Sequence, residues 1–247
     1  MKKLLIITAG LLLAATGCKK DNSISPSAGT HYVTPADYLK STDFDKLVIQ
    51  IVYVDGNQPA QASVDNMKAF LTAHLNKPNG IEIVLKSVKS PGKGTYTLDD
   101  IKAVEKLYRD NTNTSRVLQA YMFFADGNYS EDSNSSKVLG VTYTTGSIAI
   151  FEKTISSISG GLGQPSLESI ETIVMEHEFG HILGLVNNGT TMVTSHQDTP
   201  HGNHCDNRNC LMYYNTETSD MLANLTGNSL PALDANCLND LKAAGGK

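Results

Sequence analysis

His177, Glu178 and His181 stand in the order His-Glu-x-x-His, inside the run His177-Glu178-Phe179-Gly180-His181-Ile182-Leu183-Gly184. On a helix, residues four apart share one face, so His177 and His181 can offer two imidazoles to one zinc ion. Glu178 lies about a quarter-turn round, within reach of a water on that ion. These are the parts needed to activate water against a peptide bond. A catalytic zinc takes three protein ligands and keeps a fourth place for water, so the motif supplies two of three. Its chance frequency is on the order of one in 100 chains of this composition, and the surrounding residues must decide.

The helix that presents these side chains starts at Ser166, a good N-cap. Ile170, Ile173, Val174, His177, His181 and Gly184 cluster on one side, while Met175, Phe179 and Ile182 fall elsewhere. A helix apolar on several faces is expected to be central and buried. Buried histidines need partners: either hydrogen bonds within a core, or a metal. Upstream, Leu47 to Val54 reads as a buried strand. Ser63 to Leu75 spaces Val64, Met67, Phe70, Leu71 and Leu75 at helical intervals. A strand over 81–85, a helix capped by Thr97 running through Tyr108, and a strand over 117–124 follow. Strands alternating with helices predict a twisted, mainly parallel sheet. Val138 to Thr142 and Ser147 to Phe151 read as a hairpin at the sheet edge.

Gly184, three residues after His181, matches the glycine of the longer metzincin pattern HExxHxxGxxH, where it turns the chain sharply after the helix. The place of the third histidine is taken by Asn187, a poor zinc ligand. Further on, His204-Cys205-Asp206-Asn207-Arg208-Asn209-Cys210-Leu211-Met212 reads HCxxxxCxM. With Asn187–Asn203 taken as an insertion, the two halves together resemble the archaemetzincin motif HExxHxxGxxHCxxxxCxM. The resemblance covers roughly 176–212. It implies a zincin fold of the α+β or α/β class: a twisted mixed sheet, an active-site helix and a smaller C-terminal lobe. It also implies a zinc-dependent metalloendopeptidase acting on peptides or proteins. His177, His181 and His204 would hold the ion, and Glu178 would be the general base. Met212 would be the Met-turn methionine beneath the imidazoles. Tyr214 would be either a tyrosine that stabilises the oxyanion or a packing aromatic.

His196 and His201 compete with His204 for the third ligand position. His204 is preferred because Cys205, Cys210 and Met212 align it. The family's second, structural zinc would find Cys205, Cys210, Cys237 and Asp240 here. One disulfide and one free thiol is the competing reading. The edge strand near Ser147–Phe151 is expected to align an extended substrate. A non-catalytic zinc-binding surface protein on the same fold is the alternative function.

The N-terminus reads as an export signal over 1–17: Met1-Lys2-Lys3, then an apolar stretch too short to span a bilayer. Ala15-Thr16-Gly17-Cys18 resembles a bacterial lipobox, with Cys18 acylated; ordinary signal-peptidase cleavage after Gly17 also fits. Residues 18–45 are expected to be lipid anchor and flexible tether, with a short helix near Pro35–Lys40, and 46–247 the peptidase domain. The protein is then exported and held to the cell envelope by its N-terminal lipid, at the outer membrane or cell surface. Without Lys2 and Lys3 the chain carries 18 basic and 25 acidic residues, net −7. That balance excludes a nucleic-acid surface.

Overall fold

The β-branched and aliphatic run that starts at Leu47 forms β1 (Lys46–Val54), which pairs in parallel with β2 (Ile81–Val88) and β4 (Val117–Phe124). The structure is a computed structural model that describes residues 31–110, 112–220 and 230–247. Residues 1–17, read as an export signal, and Cys18 lie outside them. Residues 33–247 form one packed unit.

Successive side chains in these strands alternate between two apolar layers. Leu47, Ile49 and Ile51 of β1, with Leu118, Ala120, Met122 and Phe124 of β4, share a core with Met67 and Leu71 of α2 (Gln61–His74) and Ile173 and Val174 of α5 (Leu167–Ile182). Val52, Val54, Tyr121 and Phe123 face the other way, against Ile101 and Val104 of α3 (Leu98–Tyr108). Burial on both faces explains the apolar run of β1, interrupted by Gln50, whose buried amide donates to the Tyr108 carbonyl at 3.1 Å. Thr97 caps α3 as expected, its hydroxyl accepting the Asp100 N–H at 3.2 Å.

A two-residue ladder joins β3 (Thr95–Tyr96) and β5 (Asn128–Tyr129) outside the main sheet. The hairpin pairs β6 (Gly140–Thr144) antiparallel with β7 (Ser147–Ile150), and the five-stranded order is β2-β1-β4-β7-β6. The strand at 147–151, expected at the edge, is therefore interior, and β6 is the edge. Ser147, Ile148, Ala149 and Ile150 are all buried, as an inner strand requires. The short α4 (Glu152–Ser157) leads on to α5.

Residues 33–45 are not a free tether. The helix α1 (Pro35–Leu39) buries Tyr38 and Leu39, and Phe44 is buried after it. Lys77 fixes this segment: its buried ammonium donates to the carbonyls of Asp37 and Phe44, each at 2.6 Å, and to that of Lys40. All three acceptors lie in the stretch expected to be flexible. Lys77→Met should leave these carbonyls unpaired and cost about 3 kcal/mol. Calorimetry should then show Tm lowered by roughly 6–12 °C.

Beyond α5 the chain is mostly irregular, with 3-10 turns at Thr199–His201 and Tyr214–Glu217 and a final helix α6 (Ala235–Ala243). Among the described residues no helix is long and apolar enough to cross a membrane.

Candidate metal centre

Ser166 begins α5, its hydroxyl accepting the Ser169 N–H at 3.2 Å. His177 and Glu178 are buried in the helix and His181 is nearly so. The Nδ1–H of His177 donates to the Leu211 carbonyl at 2.7 Å. A carbonyl only accepts, so this bond fixes the tautomer and leaves Nε2 with a free lone pair. That Nε2 lies 3.2 Å from Nε2 of His181.

The third imidazole arrives from the far end of a long excursion. Gly184 turns the chain at φ +74°, a left-handed conformation that glycine adopts without strain. A Cβ there would also meet Pro35 of α1 at 2.8 Å. Asn187, where a contiguous motif would place histidine, is also left-handed (φ 63°), and its amide donates to Gln197 at 3.4 Å. The excursion closes where the Asn203 amide donates to the Val186 carbonyl at 3.2 Å. His204 follows immediately. Its Nδ1–H donates to the His201 carbonyl at 2.6 Å, which frees its Nε2 in turn. The ring of His204 lies 5.3 Å from that of His177 and 4.9 Å from that of His181. The three imidazoles and Glu217 form one group whose ligand atoms lie within 4.8 Å of each other.

Met212 is buried against α5, so close to Gly180 that a Cβ there would strike its sulfur. The Cys205 N–H donates to the Met212 carbonyl at 2.7 Å, which ties the residue after His204 to this turn.

Glu178 is fully buried. Its Oε2 accepts from the Thr142 hydroxyl of β6 at 2.7 Å, while its Oε1 has no hydrogen-bond partner among the described residues. Gly140 leaves room for it: a Cβ there would sit 2.9 Å from Oε1. Burial, then the nearby Glu217 carboxylate, pushes the Glu178 carboxyl well above its ordinary range. Burial and the neighbouring His177 and His204 hold His181 well below the usual histidine range.

Glu217 escaped the sequence reading. Its Oε2 stands 3.8, 3.9 and 3.6 Å from Nε2 of His177, His181 and His204. Burial would raise its carboxyl, but bonding and charge from His177 and His204 outweigh that and hold it low. No motif spacing marks this residue; it reaches the histidines only because the 3-10 turn after Met212 folds back over them.

The other candidates lie elsewhere. His201, half exposed, bonds Asp198 at 2.7 Å and stacks face to face on Tyr214 with ring centres 3.7 Å apart. Tyr214 is held in that stack, and neither ring belongs to the donor group. His196 faces a second buried cluster. Its Nδ1 is 3.4 Å from Cys205 Sγ, and its Nε2 is 2.8 Å from Asp240 Oδ2. Cys210 and Cys237 sulfurs are 3.6 Å apart, and all three cysteines are free thiols. Asp240 is therefore not where a fourth ligand would stand. One of its oxygens holds His196 and the other accepts the Val193 N–H at 2.6 Å. His196, Cys205, Asp234 and Cys237 form a second group whose ligand atoms lie within 4.8 Å of one another; Asp240 stands outside it and orients His196. Hydrogen bonding from Cys205 and Cys237, with the backbone N–H groups of Asp234 and Met212, pulls the Cys210 thiol down to about 4.

The principal centre fits a metal ion by its own chemistry. His204 Nε2 is buried with no hydrogen-bond partner among the described residues, and the Nε2 atoms of His177 and His181 converge beside it. Three imidazoles and a carboxylate suit zinc.

No family model matches the sequence, and no curated protein does. Among solved structures the chain is similar to an archaemetzincin from Methanopyrus kandleri, at 16% identity and TM-score 0.49, over 81% of this chain and 96% of that one. It is also similar to a zinc-dependent peptidase from Methanocorpusculum labreanum, at 14% identity and TM-score 0.47, over 78% and 99%. A third is metalloproteinase-II from Bacteroides fragilis, at 14% identity and TM-score 0.41, over 83% and 54%. These likenesses are too distant to assign chemistry, which rests on the residues above.

Proposed function

We propose that this chain is a zinc-dependent metalloendopeptidase. The observation that carries the reading is the convergence of three imidazoles around one point beside a buried, half-satisfied glutamate. His177, His181 and His204 would hold the ion through Nε2. Zinc, when bound, lowers the pKa of water and polarises a carbonyl. Glu178 Oε1, lacking a partner, is free to take the proton of the attacking water and return it to the departing amine. Thr142 steadies the other oxygen. The free edge of β6, which carries Thr142, offers backbone groups to an extended peptide beside that carboxylate.

His196, Cys205, Cys237 and Asp234, whose ligand atoms lie within 4.8 Å of one another, would hold a second, structural zinc beside Cys210, with Asp240 orienting the imidazole. The chain would be exported and attached to the envelope through acylated Cys18.

A non-catalytic zinc protein is the second reading, favoured by Glu217 at the place a water would need. One experiment separates the two. The purified protein, loaded with zinc, is incubated with a quenched-fluorescent peptide library before and after 1,10-phenanthroline treatment. Cleavage lost with the chelator and restored by zinc is the expected result. Two bound zincs with no cleavage of any peptide, by the wild type or by Glu217→Gln, would leave only the binding protein.

A further inference from the structure

We propose that Glu217 is an internal latch on the metal centre: its carboxylate takes the fourth corner of the ion and must swing away before water or substrate can enter. The inference rests on the zinc-peptidase reading and adds a regulation to it.

Donor atoms around a tetrahedral zinc at about 2.0–2.1 Å are about 3.4 Å apart. His177 and His181 nitrogens are separated by 3.2 Å, and Glu217 Oε2 stands 3.6–3.9 Å from all three Nε2 atoms. One oxygen nearly equidistant from three ligand nitrogens lies close to the axis of their tripod. That axis is where a fourth ligand belongs. A hydrogen bond to one histidine would bring the oxygen to about 3 Å from that nitrogen and farther from the others. This spacing would fit four donors around one ion better than a bond to any single histidine.

Two observations make the corner one that opens. The main chain around Glu217 is anchored by backbone hydrogen bonds, while among the described residues its carboxylate meets only the three histidines, at 3.6–3.9 Å. Leu139 N–H donates to the Glu217 carbonyl at 2.8 Å, and Ser219 N–H donates to that of Lys137 at 2.8 Å. The Glu217 side chain is 31% exposed, so one side of it faces solvent rather than the core. The second observation is Glu178. A permanently closed four-ligand site has no use for a buried carboxylate oxygen with no partner, which is costly to keep. A water entering as Glu217 leaves would satisfy that oxygen. The anchoring strand segment, Lys137–Leu139, runs directly into β6, so a peptide added to this edge would pass beside the latch.

The test uses the full chain with Co2+ in the metal centre and acetohydroxamate as the probe, its binding followed by the visible spectrum. Wild type, Glu217→Gln and Glu217→Ala are compared. If the corner is open only about 1–10% of the time, removing the carboxylate should tighten acetohydroxamate binding by roughly ten- to a hundredfold. Glu217→Gln keeps the side chain's size, so folding, checked by circular dichroism, is retained even if alanine is not tolerated. Equal acetohydroxamate affinity in wild type and the folded variants overturns the latch, whatever the peptide assays show. Tighter binding accompanied by faster peptide cleavage supports both readings. Tighter binding with no cleavage keeps the latch and removes the peptidase.

Discussion

Glu178→Gln is expected to abolish peptide cleavage while leaving zinc bound and the fold intact. The expected fall in kcat is about 10²- to 10⁴-fold, the usual contribution of a positioned general base. Glutamine has the same shape, and its carbonyl oxygen can still accept the Thr142 hydroxyl that Oε2 accepts at 2.7 Å. What it loses is basicity at the oxygen without a partner. Because the glutamate is fully buried and its carboxyl pushed upward, removing the charge should not lower Tm. Peptide kinetics, with zinc measured by atomic absorption, check the result. Turnover near the wild-type level with full metal content would reject Glu178 as the base.

His204→Ala should empty the metal centre. If a zinc site worth about 10–16 kcal/mol divides over four ligands, one imidazole contributes roughly 2.5–4 kcal/mol, or 10²- to 10³-fold in affinity. Dialysis against a weak chelator should then leave one zinc per chain instead of two, with cleavage lost. Two controls give the result its meaning. His201→Ala should retain both ions, since that ring stacks on Tyr214 and lies outside the donor group. His196→Ala should release the other zinc, from the cysteine cluster. A His204→Ala protein that keeps both zincs would show that another side chain completes the tripod.

The parts of this molecule legible in the sequence are those governed by short-range periodicity. The apolar run of β1, the Thr97 cap of α3 and the Ser166 cap of α5 each follow from neighbouring residues. His204 was legible through Cys205, Cys210 and Met212, whose spacing survives the insertion. Long-range packing was not. The polar residues around 33–45 look like linker, yet Tyr38, Leu39 and Phe44 are buried and held by the ammonium of Lys77, some thirty to forty residues away. The antiparallel β6 was placed correctly beside β7, but which of the two lies at the rim depends on where β4 pairs. Asp240 stands outside the second donor group while His196 and Asp234 join it, because carboxylates and imidazoles both suit zinc and only three-dimensional proximity to sulfur distinguishes them. Glu217 carries no local mark at all.

His204 and Cys205 are consecutive in the chain, yet their side chains enter different clusters. A single peptide unit is thus the hinge pin between two sets of ligands. Oxidation of the Cys205 thiol would act one peptide bond away from an imidazole of the first cluster. The three-histidine centre and the cysteine cluster thus share one stretch of backbone, and a change in the thiols is felt first at His204.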